Sequence, residues 1–289
     1  MPVPPVPQLV WRRRAQPLLG TLVEVALLCA NEVEFMRVSS LAFHCINAYH
    51  ARMSFHEADS DVRAIAAAPA GATLHVAAIT WAVIAAAQRF EAQSGGVFNV
   101  AVAPEMVRRG RLPAPQPSSA PPSLATSCCA ALQLDDDARI DVVQPVWIDL
   151  GGIAKGAAVD AALTLIRAEG VTAALVNAGG DIAMYGDHPR PITVLGPHGT
   201  HIEVGALADG AVATSGPYDD SDVAGSALVS GAVARWADRS VSVVAPSCQT
   251  ADALTKILAV LGPDAAPLLA RHDAHGFSID RAGRVERIA

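Results

Sequence analysis

Residues 148–163 read Ile148-Asp149-Leu150-Gly151-Gly152-Ile153-Ala154-Lys155-Gly156-Ala157-Ala158-Val159-Asp160-Ala161-Ala162-Leu163. The left end of this stretch belongs to a short apolar run at 146–150 with β-branched residues, which predicts a buried strand. Two glycines then break the pattern. From Ile153 onward apolar residues recur at three- and four-residue spacings, as on one face of a helix. The stretch therefore predicts a strand, a glycine turn and a helix, and the rest of the chain is organised around it.

The glycine turn has the features of an anion site. Backbone N–H groups point out of a helix start, and glycine lets a ligand approach the main chain. Asp149 precedes the turn and Lys155 lies in the first helical turn, while Asp160 is interpreted as a surface or helix-pairing carboxylate. The spacing fits neither a Walker loop nor a Rossmann turn. From these residues alone, an anion site and a tight connection that binds nothing are equal alternatives.

Composition places the chain among folded globular proteins. Its 289 residues can bury a sizeable core, and 52% are hydrophobic against 17% charged. The net charge of −7 and the 4% aromatic content argue against nucleic acid as a partner. Five cysteines without a Cys-x-x-Cys spacing indicate buried thiols rather than disulfides or a zinc site. Cys128 and Cys129 are expected on opposite faces of a strand.

The N-terminus is predicted to be flexible over residues 1–18, with one domain over 19–289 and a proline- and serine-rich surface loop at 113–123. Three arginines at 12–14 before an apolar run faintly resemble a signal peptide, but Glu24 interrupts that run. A cytoplasmic location is therefore favoured, with the periplasm as the alternative. No apolar run approaches membrane-spanning length, so stable membrane insertion is not expected.

Periodicity gives a coarse order of elements along the chain. Beyond the central helix, helices are predicted at 32–52, 61–68, 76–93 and 250–261. Strands are predicted at 21–28, 130–134, 140–143, 146–150, 173–177, 192–195, 202–207, 212–214, 227–234 and 240–245, and 97–104 is predicted to be extended. Helices early, strands later and a βαβ-like middle indicate an α+β architecture.

Several short motifs, taken in order, resemble the ApbE family. They are Leu19-Gly20-Thr21, Met53-Ser54, Gly95-Gly96-Val97-Phe98-Asn99, Asp149-Leu150-Gly151-Gly152-Ile153-Ala154-Lys155-Gly156, Asn177-Ala178-Gly179-Gly180-Asp181, Ala213-Thr214-Ser215-Gly216 and Ala251-Asp252-Ala253-Leu254-Thr255. Members of this family are FAD:protein FMN transferases, which split the FAD diphosphate and attach FMN through its phosphate to a Thr or Ser of a target flavoprotein. The resemblance implies an ApbE-like (T-fold-like) α+β fold of mixed sheets with flanking helices, a single large domain of two lobes.

The resemblance also implies a set of site residues. Asp252 and Lys155 would be catalytic, and Mg²⁺ would be held by Asp252, Thr255 and the main-chain oxygen of Gly152. FAD, the substrate, would be contacted by Leu19, His56, Val97, Phe98, Asn99, Asp149, Lys155, Gly179, Gly180, Asp181 and Ser215. The implied partners are FAD and an acceptor flavoprotein carrying a Thr or Ser flavinylation motif, with a homodimer as a possibility.

Two departures from the family pattern leave alternatives open. Lys256 stands where many members have a threonine, and it lies four residues after Asp252 on the same helix face, so the two side chains can pair. Its ammonium either blocks the metal site or supplies charge to the diphosphate. The family's His-x-Ile-[Ile/Leu]-Asp-Pro segment is missing, because residues 226–235 read Ser-Ala-Leu-Val-Ser-Gly-Ala-Val-Ala-Arg. Two alternatives to a transferase therefore stay open. One is a flavin carrier or assembly protein, and the other is an FAD pyrophosphatase that releases FMN and AMP.

Overall fold

A computed structural model of the chain describes residues 8–115, 122, 127–216, 235–236 and 238–288. The helices in these ranges are α1 (Glu32–Met53), α2 (Asp61–Ala67), α3 (Ala78–Gln93), α4 (Ala103–Arg108), α5 (Cys128–Ala131), α6 (Ala154–Ala168), α7 (Cys248–Leu261) and α8 (Ala266–Arg271). The strands are β1 (Val10–Leu18), β2 (Thr21–Cys29), β3 (Thr73–His75), β4 (Leu132–Leu134), β5 (Arg139–Val142), β6 (Ala174–Ala178), β7 (Asp181–Tyr185), β8 (Arg190–Leu195), β9 (His201–Leu207), β10 (Gly210–Ser215), β11 (Ser240–Ala245), β12 (His275–Ile279) and β13 (Val285–Ile288). The predicted strand at 227–234 and most of the predicted loop at 113–123 lie outside the described residues.

The largest sheet has the strand order β1-β2-β6-β7-β10-β11-β12-β13, and each neighbouring pair is antiparallel. Two-residue turns join β1 to β2 and β6 to β7. Because β2 pairs with β6 through Val23 and Ala178, the two turns lie side by side at one end of the sheet. This end of the sheet faces the start of α6, since Asp181 at the head of β7 contacts Lys155.

Helices α1, α6 and α7 cover one face of this sheet. Their apolar residues share a core with β2 and β6, in which Ile46, Val159 and Val176 are fully buried. The opposite face is covered by the β8–β9 hairpin, whose Ile192 and Val194 pack on the sheet. Layers of helices on an antiparallel sheet define an α+β architecture, as the sequence predicts.

A second core surrounds the small sheet β3-β5-β4 and helices α2 and α3. It continues without a break to α7 through Leu254 and Ile257, both of which are almost fully buried. Ile148 and Leu150 belong to this core, and neither side chain is exposed. The stretch before the glycine turn is thus fixed by burial on the same side of the molecule as α7.

The prediction of a flexible segment at residues 1–18 is wrong for the part that the structure describes. Residues 10–18 form β1, which pairs with β2 along its whole length. The arginine run misleads because β1 is the edge strand of the sheet, where charged side chains are common. Trp11 anchors the strand, with the Arg190 guanidinium 4.6 Å from the centre of its ring.

Three other local predictions are wrong. Residues 146–150 are buried except for the half-buried Asp149, but they form no strand, because only single hydrogen bonds such as Asp149 N–H to the Val100 oxygen (2.8 Å) reach them. Residues 97–104 form turns rather than an extended segment, and Pro104 lies in the first turn of α4. The predicted strand at 130–134 begins as the short helix α5, capped by the Ser127 side chain.

The helix α5 also corrects the reading of the cysteines. Cys128 and Cys129 lie on one helical turn, so they are not on opposite faces of a strand. All five thiols are free; three are buried, Cys45 is half-buried and Cys129 is exposed. The prediction of buried thiols is therefore wrong for Cys129. Burial raises the pKa of the Cys128 thiol well above its ordinary value.

The helical stretch Cys248–Arg271, which includes α7 and α8, is long and apolar enough by length and composition alone to cross a membrane. Its most apolar window is 67% buried inside the fold, as expected for a core helix. The absence of membrane insertion stays a prediction from the sequence.

Candidate functional site

A cavity of about 560 Å³ opens beside the β1–β2 turn and the start of α6. Five of the residues predicted from the sequence to bind a ligand or to form the glycine turn line it: Leu19, His56, Asp149, Gly151 and Lys155. The cavity is within the size range of small-molecule sites. The structure therefore brings together residues that are separated by more than 130 positions in the sequence.

The β1–β2 turn at the mouth of the cavity has an unusual backbone. Leu19 has a φ of +56° and Gly20 a φ of +70°, and both residues line the cavity. Two successive positive φ angles define the tight turn that suits antiparallel strands and is usually made by Asn-Gly. Leucine is unfavourable in this conformation. Strain of this kind is typical of ligand-binding positions.

The neighbouring β6–β7 turn is pressed against the first. Gly179 has a φ of +65°, and a Cβ atom there would lie 2.4 Å from Thr21 Oγ1. Only glycine fits this position. Gly180 N–H donates to the Asn177 side-chain oxygen at 2.9 Å, which holds the turn from within. Gly179 thus lets the two turns lie in contact, and Gly180 stabilises its own turn.

Asp149 holds the glycine turn at the start of α6. Its Oδ1 atom accepts a hydrogen bond from the Gly151 N–H at 2.9 Å. Burial raises the pKa of Asp149, although the Gly151 hydrogen bond and the nearby His56 act in the opposite direction. Because this carboxylate orients the Gly151 amide, it shapes the wall of the cavity.

Lys155 bridges the cavity and the sheet. Its Nζ atom donates to Asp181 Oδ2, and the lysine side chain is 31% exposed whereas Asp181 is buried. Burial, together with the nearby carboxylate of Asp252, raises the pKa of Asp181 even though Lys155 acts to lower it. Asp181 Oδ1 has no hydrogen-bond partner among the described residues. The charged end of Lys155 is therefore held at the cavity by a buried carboxylate.

Asp252 lies on α7, fully buried, next to the first turn of α6. Its Oδ2 atom accepts from the Gly156 N–H at 3.3 Å and its Oδ1 atom from Lys256 Nζ at 2.5 Å. A Cβ at Gly156 would lie 2.4 Å from the Cys248 carbonyl oxygen, so glycine is what lets the two helices approach. Burial acts to raise the pKa of Asp252, but Lys256 and Lys155 outweigh it and lower that pKa below its ordinary value.

Lys256 is the centre of a polar cluster on α7. Besides Asp252, its ammonium donates to Ser215 Oγ at 2.8 Å and to Thr255 Oγ1 at 3.1 Å. The two hydroxyls are 2.9 Å apart. A Cβ at Gly152 would lie 3.4 Å from Lys256 Cε. The lysine side chain therefore runs past the glycine turn to reach oxygens from α7 and β10.

The remaining predicted contacts are placed around this cluster. Phe98 is buried against Phe90, with ring centres 5.9 Å apart, and reaches within 3.8 Å of a Cβ at Gly152. Val97 is half-buried beside it. The Asn99 side-chain oxygen accepts from the Ala101 N–H at 2.8 Å, so it holds its own turn. The segment 97–99 thus forms a wall next to the glycine turn.

Asp160 has a more specific place than the sequence indicates. Its two carboxylate oxygens accept from the N–H groups of Cys248 and Gln249, both at 2.8 Å. These are the first residues of α7, where backbone amides lack helical partners and a negative charge is favourable. The interpretation as a surface carboxylate is wrong, because Asp160 is half-buried and joins α6 to the start of α7, which is a pairing of two helices.

The set of oxygens implied for Mg²⁺ does not fit that ion as the chain is folded. Both oxygens of Asp252 already accept hydrogen bonds, and Thr255 Oγ1 contacts the same ammonium. A magnesium ion about 2.1 Å from Asp252 Oδ1 would lie at most about 4.6 Å from Lys256 Nζ, with both cations buried. No cluster of three His, Cys, Asp or Glu side chains suited to a metal occurs within the described ranges.

Sequence reasoning missed part of the cavity wall. Tyr49 and His50, near the end of α1, line it together with the predicted residues and with Met53 of the Met53-Ser54 motif. The available signal was the position of Tyr49 and His50 just before that motif. The contacts of Lys256 with Ser215 and Thr255 were also missed, since Ser215 is 41 positions away and reaches the lysine from β10, whereas its pairing with Asp252 follows from their spacing.

Comparison with known proteins identifies the class of fold first. The chain superposes on the flavinyl transferase ApbE of Pseudomonas stutzeri, in its apo form, with a TM-score of 0.77 and 24% identity over 97% of this chain and 95% of that one. It also superposes on the ApbE protein of Thermotoga maritima, with a TM-score of 0.79 and 25% identity over 96% and 97% of the two chains. The predicted mixed α+β fold of ApbE type is confirmed.

The family follows from the sequence itself. The sequence model of the ApbE family matches residues 19–278, so the chain belongs to the ApbE family and the predicted resemblance is confirmed. A curated FAD:protein FMN transferase of Treponema pallidum (strain Nichols) is 27% identical to this chain, and the match covers 86% of this chain and 78% of that protein.

Proposed function

We propose that this protein is an FAD:protein FMN transferase, which uses FAD to attach FMN to a threonine or serine of a partner flavoprotein. Family membership and the similarity to the Treponema pallidum transferase support this activity. The observation that carries the proposal for this chain is that Gly151 and Lys155 line one cavity, while the Asp252–Lys256 pair is buried directly behind them, against Gly152 and Gly156.

These groups suit a diphosphate. The positive end of the α6 helix dipole lies at this turn and favours negative charge. Lys155 supplies a partly exposed ammonium, and glycine leaves room for phosphate oxygens near the main chain. The apolar side chain of Leu19 lines the same cavity and offers a surface to a flavin or adenine ring, whereas Phe98 is buried behind the turn.

The reaction needs no nucleophile from this chain. The acceptor hydroxyl oxygen attacks the FMN phosphorus, a new oxygen–phosphorus bond forms, and the bond from that phosphorus to the bridging oxygen breaks. AMP leaves with the bridging oxygen, and the hydroxyl proton passes to the leaving phosphate or to water. Transfer of this kind depends on positioning and on stabilising the charge of the leaving group. Lys155, beside the turn, is the residue proposed to hold that charge.

A flavin carrier is the second candidate, and one observation favours it. Residues 226–235 lack the His-x-Ile-[Ile/Leu]-Asp-Pro pattern of many family members. The resemblance to the family implies that the histidine of this segment assists the reaction. Binding of FAD without turnover would follow.

The acceptor is proposed to carry a Thr or Ser flavinylation motif, and the cytoplasm is the proposed location.

One experiment separates the candidates. The protein is incubated with FAD, with and without an acceptor domain bearing the threonine motif, and the products are resolved by chromatography and mass spectrometry. A flavinylated acceptor with an equal amount of AMP supports the transferase. Free FMN and AMP without labelled acceptor identify a pyrophosphatase, and intact bound FAD identifies a carrier. An acceptor whose threonine is replaced by alanine is the matched control.

A further inference from the structure

Lysine is rare in this chain. The 289 residues include 19 arginines and two lysines, Lys155 and Lys256. Both lysines lie in the candidate site, and each donates to a buried aspartate, Asp181 or Asp252. Arginine carries a broad planar charge, whereas lysine carries a compact one with three donors. The two places where the chain uses a compact cation are therefore the two places beside the proposed diphosphate site.

The surroundings of Lys256 resemble those of a small metal ion. Its three ammonium protons match three oxygen partners: Asp252 Oδ1 at 2.5 Å, Ser215 Oγ at 2.8 Å and Thr255 Oγ1 at 3.1 Å. The lysine is 9% exposed. Carboxylate and hydroxyl oxygens are also what Mg²⁺ prefers. All three residues implied for the metal, Gly152, Asp252 and Thr255, lie against this one side chain.

We propose that the ammonium of Lys256 is the resident cation of this site, standing where other members of the fold would bind a divalent metal. The inference rests on the proposed use of FAD as substrate. It follows that this protein binds FAD without a divalent cation. It follows too that the Asp252 carboxylate is neutralised from within the chain.

The geometry permits this role during FAD binding. The hydroxyls of Ser215 and Thr255 are neutral partners, and they are already within 2.9 Å of each other. One ammonium proton can turn from a hydroxyl to a phosphate oxygen, because a hydrogen bond between charged groups is stronger than one to a neutral hydroxyl. Lys256 brings one positive charge where Mg²⁺ would bring two, so Lys155 carries more of the diphosphate charge than a metal-dependent site would require.

Two measurements on the unaltered protein test the proposal. The Kd for FAD is measured by quenching of flavin fluorescence, in excess EDTA and in excess Mg²⁺. We expect the two values to agree within about twofold. Binding of Mn²⁺, a substitute for Mg²⁺, is measured by electron paramagnetic resonance without FAD. No bound ion is expected at the Asp252 site.

The variant Lys256→Thr reverses the arrangement. Removing the ammonium frees the Asp252 oxygen and adds a third hydroxyl, so this variant should bind Mn²⁺. Its FAD affinity should fall by about tenfold or more in EDTA and recover in Mg²⁺. Arg37→Thr, which removes one cation from the exposed pair with Glu169, is the matched control and should change neither measurement.

The outcomes are distinct. A Kd for FAD that rises about tenfold in EDTA for the unaltered protein would overturn the proposal and leave the transferase function standing. The same holds for a bound Mn²⁺ that is lost in Asp252→Asn. Absence of FAD binding under both conditions would overturn the proposed function itself, and the role of Lys256 with it.

Discussion

Lys256 Nζ lies 2.5 Å from Asp252 Oδ1, one turn further along the same helix. Asp252 is fully buried and the lysine side chain is 10% exposed. A pair of this kind holds two charges in the protein interior, where each depends on the other for its stability. The pair also joins the start of α6 to β10, because Asp252 accepts from Gly156 N–H and Lys256 donates to Ser215.

The first prediction concerns this pair. Asp252→Asn leaves the Lys256 ammonium buried beside a neutral amide, so the free energy of unfolding should fall by about 3 kcal/mol. Urea denaturation followed by circular dichroism measures the change. The double variant Asp252→Asn/Lys256→Met removes the stranded charge and should be more stable than the single variant. If the double variant is less stable than the single one, the two charges do not depend on each other.

The approach of α6 to α7 gives the second prediction. In Gly156→Ala the new methyl group would lie 2.4 Å from the Cys248 carbonyl oxygen, which forces the helices apart. We expect a loss of about 2–3 kcal/mol in the free energy of unfolding, since overpacking disturbs a close contact. FAD binding should weaken too, because the Gly156 amide would leave Asp252. Ala161→Ser adds one atom elsewhere on α6 and is the control; equal effects of both changes would contradict the account.

The strained turn gives the third prediction. Leu19 has a φ of +56°, which asparagine tolerates better than leucine. Leu19→Asn should relieve about 1 kcal/mol of strain, offset in part by lost apolar contacts, for a net gain of about 0.5 kcal/mol. Its affinity for FAD should fall, as Leu19 lines the cavity. Thermal unfolding and FAD titration measure the two effects, with Leu22→Asn as the control; a loss of stability in Leu19→Asn would show that strain is not significant there.

The fourth prediction is a pH dependence of stability. Hydrogen bonds from Arg108 and Arg109 lower the pKa of Glu105 from its ordinary 4.5 to about 2. A lowered pKa means that the ionised form is stabilised by folding, so this contribution is present above about pH 4.5 and is lost as the pH falls toward 2.

Near neutral pH, Glu105→Gln should therefore have a lower free energy of unfolding than the unaltered protein. The difference should shrink as the pH falls from about 4.5 toward 2. Urea denaturation at several pH values measures it. Glu203→Gln, at an exposed position of β9, is the control. If the difference in the free energy of unfolding stays constant down to about pH 2, Glu105 is not ionised in its pair with the two arginines.

The elements predicted well from the sequence are those with strong local signals. The helices α1, α2 and α7 are amphipathic or apolar and begin at capping side chains, Asn31, Ser60 and Ser247. Their predicted bounds differ from the observed ones by no more than two residues. Local signals fail at 146–150, where an apolar run is buried without a partner strand. Whether such a run becomes a strand depends on neighbours that periodicity does not show.

In the candidate site too, some residues were predicted from the sequence and some contacts were not. Motif order led to Asp149, Lys155, Asp181 and Asp252, which the structure gathers around the cavity and the start of α6. The contact of Lys256 with Ser215 could not be predicted from the sequence, because it depends on how β10 approaches α7. Residue type and spacing along one helix predicted that Lys256 could pair with Asp252, and the other two oxygens come from packing.

We propose that the FAD diphosphate lies over the Gly151–Gly152 turn, between Lys155 and the Asp252–Lys256 pair. A crystal structure of the protein with bound FAD would show whether it does. We predict phosphate oxygens about 2.7–2.9 Å from Lys155 Nζ and over the turn, with the flavin or adenine ring in the cavity beside Leu19. FAD bound elsewhere, or bound with its diphosphate directed away from both lysines, would contradict the account.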